Sequence, residues 1–151
     1  MKHILIAALT LILGAASSGQ EADRPSHDMP FAIDLANVKW TSLDNAAQYS
    51  ILQVDPISGA TQMLWRLAAN AKSPCHWHSA SESNVVVQGS VVMQHLGMPD
   101  STLGVGGFSF VPKAMKHKLS TGPTTTIVFS SLGGRFDFHP VDDSQCVANG
   151  S

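Results

Sequence analysis

The chain has 151 residues, of which 44% are hydrophobic and 13% are charged, and its formal net charge is −2. This length fits one compact domain, and scattered basic residues in a weakly acidic chain argue against nucleic acid as a partner. A single domain without a nucleic-acid-binding surface is therefore the expectation.

The first 18 residues have the pattern of a secretory signal peptide. A charged start, Met1-Lys2-His3, precedes an apolar run over residues 4–16, and small residues follow it. A membrane-spanning helix needs about 20 apolar residues, so this run is too short to cross a bilayer. We predict a signal peptide over residues 1–18, no membrane anchor after its removal, and a periplasmic or secreted protein.

The rest of the chain is predicted to form one all-β domain over residues 38–145. Its short apolar runs are broken by Gly, Pro, Asn and Asp, which is typical of a sandwich or a barrel. Residues 19–37 lack periodicity and are predicted to form a loose N-terminal arm, with residues 146–151 as a C-terminal tail. Turns are predicted at residues 55–59 and 89–90. The predicted strands span residues 47–54, 60–67, 76–79, 84–88, 91–96, 108–111, 117–120, 124–130 and 135–138.

The segment around residue 78 carries the first candidate site. His76, His78 and Glu82 are spaced as H-x-H-x3-E, and Glu82 is one of only two glutamates in the chain. Side chains alternate along a strand, so the two histidines project to the same side and can face one cation. Glu82 can join them if the small polar residues 79–81 turn the chain. The alternative is a polar loop that contains histidines by chance.

A second segment supplies a further histidine. Gly106, Pro112 and His117 are spaced as G-x5-P-x4-H. Together the two segments resemble the two signature motifs of the cupin superfamily, although Ala114 replaces a common glycine and Thr121 a common asparagine. The resemblance implies a single-domain cupin, which is a double-stranded β-helix or jelly-roll-type barrel. It also implies four metal ligands, His76, His78, Glu82 and His117.

The donor set indicates the cofactor class. Three imidazoles and one carboxylate suit divalent iron, manganese or zinc, and also nickel or copper. Four protein ligands leave positions open for water or a small-molecule ligand, as in catalytic metal sites. The resemblance therefore implies a metal-dependent enzyme of the dioxygenase, decarboxylase or isomerase type that acts on a small organic molecule.

Two other functional interpretations stay open. One is a non-catalytic exported cupin that binds a metal or a small ligand without turning it over. The other is a metal-free sandwich whose histidines are core residues. Many cupins pair through an outer sheet, so the resemblance also allows a homodimer.

Residues next to the motifs can be read in two ways. Asn84 shares the parity of Glu82, so it is a candidate to bind substrate or to hydrogen-bond a metal ligand, or it is a polar residue that caps a strand. An even number of cysteines in an exported chain favours a Cys75–Cys146 disulfide, and two free thiols are the alternative.

Outside the motifs, mostly structural roles are expected. His95 is predicted to be a hydrogen-bonded sheet residue, and His139 to lie in a surface turn. Lys113, Lys116 and Lys118 form either a solvated strand edge or a positive patch that attracts an anionic substrate. Five aromatic residues are predicted to pack in the core first and to form pocket walls second, namely Trp65, Phe108, Phe110, Phe136 and Phe138.

Overall fold

The computed structural model describes residues 29–146. The predicted signal peptide, the arm up to residue 28 and residues 147–151 of the predicted tail lie outside these described residues. No helix in the described part is long and apolar enough to cross a membrane.

Strands make up most of the regular structure, as the sequence predicts. Short 3-10 helices at Leu35–Asn37 and Asp143–Cys146 stand at the two ends of the described chain. The strands are β1 (Thr41–Ser42), β2 (Ala47–Val54), β3 (Thr61–Leu67), β4 (His76–Trp77), β5 (Glu82–Gln88), β6 (Val91–His95), β7 (Ser101–Leu103), β8 (Phe108–Val111), β9 (His117–Thr121), β10 (Thr126–Leu132) and β11 (His139–Pro140).

The strands form two antiparallel sheets. The first has the order β1-β2-β3-β10-β5-β8, and the second has the order β11-β4-β9-β6-β7. The all-β jelly-roll-type prediction is confirmed, although the two sheets are not joined into a closed barrel. A buried cluster contains Val86 and Val128 from the first sheet and Val91 and Met93 from the second. The main core therefore lies between the sheets.

A second cluster covers the opposite face of the first sheet. Leu64 and Ile127 point away from the main core and pack with Val38, Leu35 and Trp40. Side chains alternate along each strand, so one sheet can bury both faces when a segment covers the outer one. Part of the predicted arm thus contributes to the packing of the domain.

Two turns connect the elements that carry the candidate site. Asp55 to Gly59 forms the predicted turn between β2 and β3, where the Gly59 N–H donates to the Asp55 carbonyl at 2.9 Å. Gly89 and Ser90 carry the chain from β5 in the first sheet to β6 in the second. Gly89 has a φ of +77°, and a Cβ there would lie 2.5 Å from Oγ1 of Thr126. Glycine is required at this crossing.

Several local predictions are wrong. Residues 135–138 are not a strand, and the chain pairs with β4 only at His139–Pro140. The strand predicted over residues 124–130 lies two residues later, and β1 and β7 were not predicted.

The predicted core roles of Phe108 and Phe110 are also wrong. These two rings are 59% and 55% exposed on the edge strand β8. Ser109 pairs with Asn84 and its Oγ is buried, and Val111 on the same strand is 2% exposed, so the odd-numbered residues face inward. The alternation was therefore assigned to the wrong face of the sheet.

Candidate metal centre

Three histidines converge because two neighbouring strands present them side by side. His76 on β4 and His117 on β9 are direct register partners, so their side chains lie on the same face. His78 follows β4 with the same parity as His76, and all three residues are buried. One ring nitrogen of each histidine lies within 4.8 Å of those of the other two. This arrangement could hold a metal ion.

Hydrogen bonds to the backbone orient each ring. Nδ1 of His76 donates to the carbonyl of Pro74 at 2.8 Å, and Nδ1 of His117 donates to that of Met115 at 3.0 Å. Nδ1 of His78 likewise bonds a backbone carbonyl, at 2.5 Å. A carbonyl only accepts, so each Nδ1 carries the proton and each Nε2 keeps its lone pair for a ligand bond.

Glu82 brings a carboxylate to the same point. Its Oε2 lies 3.8 Å from Nε2 of His78 and 3.5 Å from Nε2 of His117. Burial raises the pKa of Glu82, but the contacts of its carboxylate with His117, His78 and Asn84 outweigh burial and lower the pKa. The structure therefore brings the four predicted ligand residues together around an ionised carboxylate.

The protonation of His76 also suits a cation. Burial, aided by the nearby His117, lowers the pKa of His76 from 6.5 to about 4. His76 is therefore neutral at physiological pH and does not repel a metal. Neutral imidazoles and an ionised carboxylate are the forms in which these side chains bind a divalent transition metal.

The four side chains line a cavity of about 120 Å³. Its other walls come from both sheets and from the segment after β10. The apolar lining includes Trp65, Leu67, Met93, Leu119, Val128 and Phe138. A small molecule could therefore lie beside the histidines within the domain.

The family model of the ChrR cupin-like domain matches residues 28–136, which is more than half of the chain. The chain belongs to this family of cupin-like domains. No curated protein sequence matches it.

Solved structures show the same fold for this cupin. KdgF from Halomonas sp. superposes with a TM-score of 0.61 and 16% identity, over 71% of this chain and 96% of that one. The polyketide cyclase RemF from Streptomyces resistomycificus superposes with a TM-score of 0.60 and 20% identity, over 75% of this chain and 86% of that one. An oxalate oxidase superposes with a TM-score of 0.61 and 20% identity, over 74% of this chain and 63% of that one.

Asn84 of the cupin supports Glu82 from inside the first sheet. Asn84 is 7% exposed, and its Oδ1 accepts a hydrogen bond from Oγ of Ser130 at 2.5 Å. Its side chain also hydrogen-bonds Glu82. Asn84 is therefore buried on the same side of the sheet as Glu82, and its role toward a substrate stays a prediction.

A C-terminal strap, residues 137–146, closes the other side of the site. The carbonyl of Asp137 is the acceptor for His78, and the ring of Phe138 stacks on His76 with centroids 4.3 Å apart. The contact of Asp137 was not predicted, because no short motif marks a backbone carbonyl that acts on a residue far away in the chain, whereas Phe138 lines the cavity, which was its second predicted role. A disulfide between Cys75 and Cys146 fastens the strap, with Cα atoms 5.8 Å apart.

Two further histidines in the described part of the chain, His95 and His139, lie in strands near the site. His95 pairs with His117 across β6 and β9, with ring centroids 6.2 Å apart. It lies in a strand as predicted, and its buried Nε2 has no hydrogen-bond partner among residues 29–146. His139 lies in β11 rather than a surface turn, and it stacks on Trp77 and contacts Asp137.

The lysine patch does not reach the cavity. Lys116 Nζ donates to Gln145 Oε1 at 2.6 Å, and Lys118 Nζ lies 4.0 Å from the carboxylate of Asp143. Both contacts are with the strap, and neither these two lysines nor Lys113 lines the cavity. The structure gives no support to the patch as an attractor of substrate.

Proposed function

We propose that this cupin binds one divalent transition metal, iron, manganese or zinc, through four side chains. The supporting observation is that three buried imidazoles meet with each Nδ1 held by a backbone carbonyl. Glu82 lies within 4 Å of two of their Nε2 atoms. The proposed ligands are His76, His78, Glu82 and His117.

We further propose that the loaded protein is an enzyme of the dioxygenase, decarboxylase or isomerase type that acts on a small organic molecule. A bound metal of this class supplies Lewis-acid chemistry and, for iron or manganese, redox chemistry. The chain itself fixes the histidine tautomers, keeps Glu82 ionised through its contacts with His117, His78 and Asn84, and shields one side of the site with Phe138. The names of the similar structures, which include an oxalate oxidase and a polyketide cyclase, are compatible with such an activity.

The second candidate is a non-catalytic protein that binds a metal or a small ligand. One observation favours it: besides Glu82, Asp44 is the only carboxylate among the described residues that line the cavity. Oδ1 of Asp44 already accepts hydrogen bonds from the N–H groups of Ala46 and Ala47. A separate general acid or base is therefore lacking among these lining residues.

Export to the periplasm or the cell exterior is part of the same proposal. The Cys75–Cys146 disulfide supports it, because disulfides persist in oxidising compartments. Sequencing the N-terminus of the protein recovered from the medium or the periplasm tests it. A start after residue 18 supports removal of the predicted signal peptide, and a start at Met1 contradicts it.

Elemental analysis of the purified protein tests the metal site. We expect about one equivalent of metal per chain, since the ligands form one site, and a loss of most of it in His78→Ala. His139→Gln is the matched control because His139 stacks on Trp77 outside the cavity. Equal metal content in all three proteins would contradict the proposal.

Oxygen-uptake and small-acid turnover assays on the metal-loaded protein then separate an enzyme from a non-catalytic binder.

A further inference from the structure

The walls of the cavity are mostly apolar and are part of the packed core. Trp65 and Val128 line it from the first sheet, and Met93 and Leu119 line it from the second. Val128 and Met93 belong to the main buried cluster, and Trp65 and Leu119 pack against that cluster. Because protein interiors are close-packed, these walls present a fixed apolar shape to a ligand.

The inner polar side chains of the cavity already have partners. The hydroxyl of Ser130 donates to Asn84, and the side chain of Asn84 hydrogen-bonds Glu82. Lys72 is the one lysine or arginine among the described residues that line the cavity, and it is exposed. A second anionic group on a ligand would therefore find no cationic partner among the inner walls.

We propose that the site takes a small organic anion with one oxygen-donor head group and an apolar body. This inference rests on the proposed metal site, where the head group would bind, while the walls formed by Trp65, Val128, Met93 and Leu119 enclose the body. An apolar cavity of about 150 Å³ holds one benzene. A cavity of about 120 Å³ therefore suits a body of a few carbon atoms. A charged group at the far end of that body would be desolvated without a partner, which is strongly unfavourable.

Butyrate and succinate form a matched pair of probes, because they share a four-carbon skeleton and succinate has a second carboxylate. The protein is loaded with Co²⁺, and the visible absorption spectrum of the bound cobalt is followed while each anion is added. We expect butyrate to change the spectrum with a Kd at least about tenfold lower than that of succinate. Succinate binding as tight as butyrate binding, or no response to either anion, overturns the inference.

The same titration separates this inference from the metal site on which it rests. A protein that does not take up Co²⁺ overturns the proposed function, and the inference with it. A cobalt spectrum that is present but does not distinguish the two anions overturns the inference alone.

Variants of the cavity lining sharpen the test. Leu119→Asn keeps a similar size and puts an amide into the wall, so it is expected to reduce the preference for butyrate. Lys72→Ala is the control, and we expect it to change the ratio of the two Kd values by less than about twofold, because an exposed charge contributes little. A large loss of butyrate binding in Lys72→Ala contradicts the inference. The wild-type comparison decides the question if Leu119→Asn does not fold.

Discussion

The backbone carbonyl of Asp137 accepts a hydrogen bond at 2.5 Å from Nδ1 of His78, which lies 59 residues earlier in the chain. The next residue, Phe138, stacks on the ring of His76. The strap thus orients two of the three converging histidines, one through a main-chain atom and one through an apolar ring. The geometry of the candidate metal centre and the attachment of the strap are therefore linked.

The disulfide is expected to stabilise both the fold and the metal site. Replacing Cys75 and Cys146 together with alanine should lower the free energy of unfolding by about 4 kcal/mol, because the bridge closes a loop of 71 residues. Loosening the strap should also weaken metal binding roughly 10- to 100-fold, as loss of groups that orient ligands typically does. Urea unfolding and competition with a chelator measure the two effects. Ser144→Ala, a strap variant that keeps the disulfide, is the control. If the double cysteine variant had the same free energy of unfolding and the same metal affinity as Ser144→Ala, the proposed role of the disulfide would be contradicted.

The metal-free protein is expected to lose stability in mild acid. The pKa of His76 falls from 6.5 to about 4 on folding, so between these values the unfolded chain binds the proton and the folded chain does not. Glu82 has a folded pKa below its usual 4.5, so above pH 4.5 it is ionised in both states. Stability should therefore drop by roughly 2 kcal/mol from His76 as the pH falls from 6.5 to 4.5. Half-buried His95, whose pKa is also lowered by burial, acts in the same direction.

Urea unfolding at several pH values checks this dependence. His76→Asn should show a shallower loss of stability over the same range, because the residue that must stay neutral is gone. A metal-free wild-type protein as stable at pH 4.5 as at pH 6.5 would show that His76 is not held neutral by the fold.

Glu82→Gln should reduce metal affinity by at least about tenfold while leaving the fold intact. Glutamine keeps the size of the side chain but removes the negative charge that lies 3.5 Å from Nε2 of His117. Competition with a chromophoric chelator measures the affinity. Asp44→Asn removes an exposed carboxylate from the same cavity and should retain the wild-type value. If both variants bind metal like the wild type, Glu82 is not a ligand.

Ala114→Gly should raise the free energy of unfolding by about 1 kcal/mol. Ala114 has a φ of +62°, in the left-handed region that favours glycine, and its N–H donates to the carbonyl of His78 at 2.8 Å. Thermal or urea unfolding measures the change. Ala46, whose φ is not positive, provides the control, since Ala46→Gly should lower stability or leave it unchanged. A loss of stability in Ala114→Gly equal to that in Ala46→Gly would contradict the strain at this turn.

The parts of the site that could be predicted are those that depend on local alternation. His76 and His78 face the same way because strand side chains repeat every two residues, and Asn84 follows Glu82 inward by the same rule. His117 could be placed beside them only through the likeness to a second cupin motif. In the structure it is the register partner of His76.

The parts that could not be predicted depend on contacts between distant segments. Residues 135–138 alternate like a strand, but Phe136 and Phe138 instead pack beside the histidines while the carbonyl between them bonds His78. Phe108 and Phe110 lie on the outer face of the edge strand β8 and are exposed, whereas Val111 on its inner face is buried. Strand order is a tertiary property that the hydrophobic pattern of one strand does not contain.

The proposed metal centre has four ligands, His76, His78, Glu82 and His117, around one metal ion. A crystal structure of the metal-loaded protein, with an anomalous difference map recorded at the absorption edge of that metal, tests it most directly. We predict a single peak per chain at ligand distance from the three Nε2 atoms and a carboxylate oxygen of Glu82. A map with no peak between these side chains, or with the peak at another site, would contradict the account.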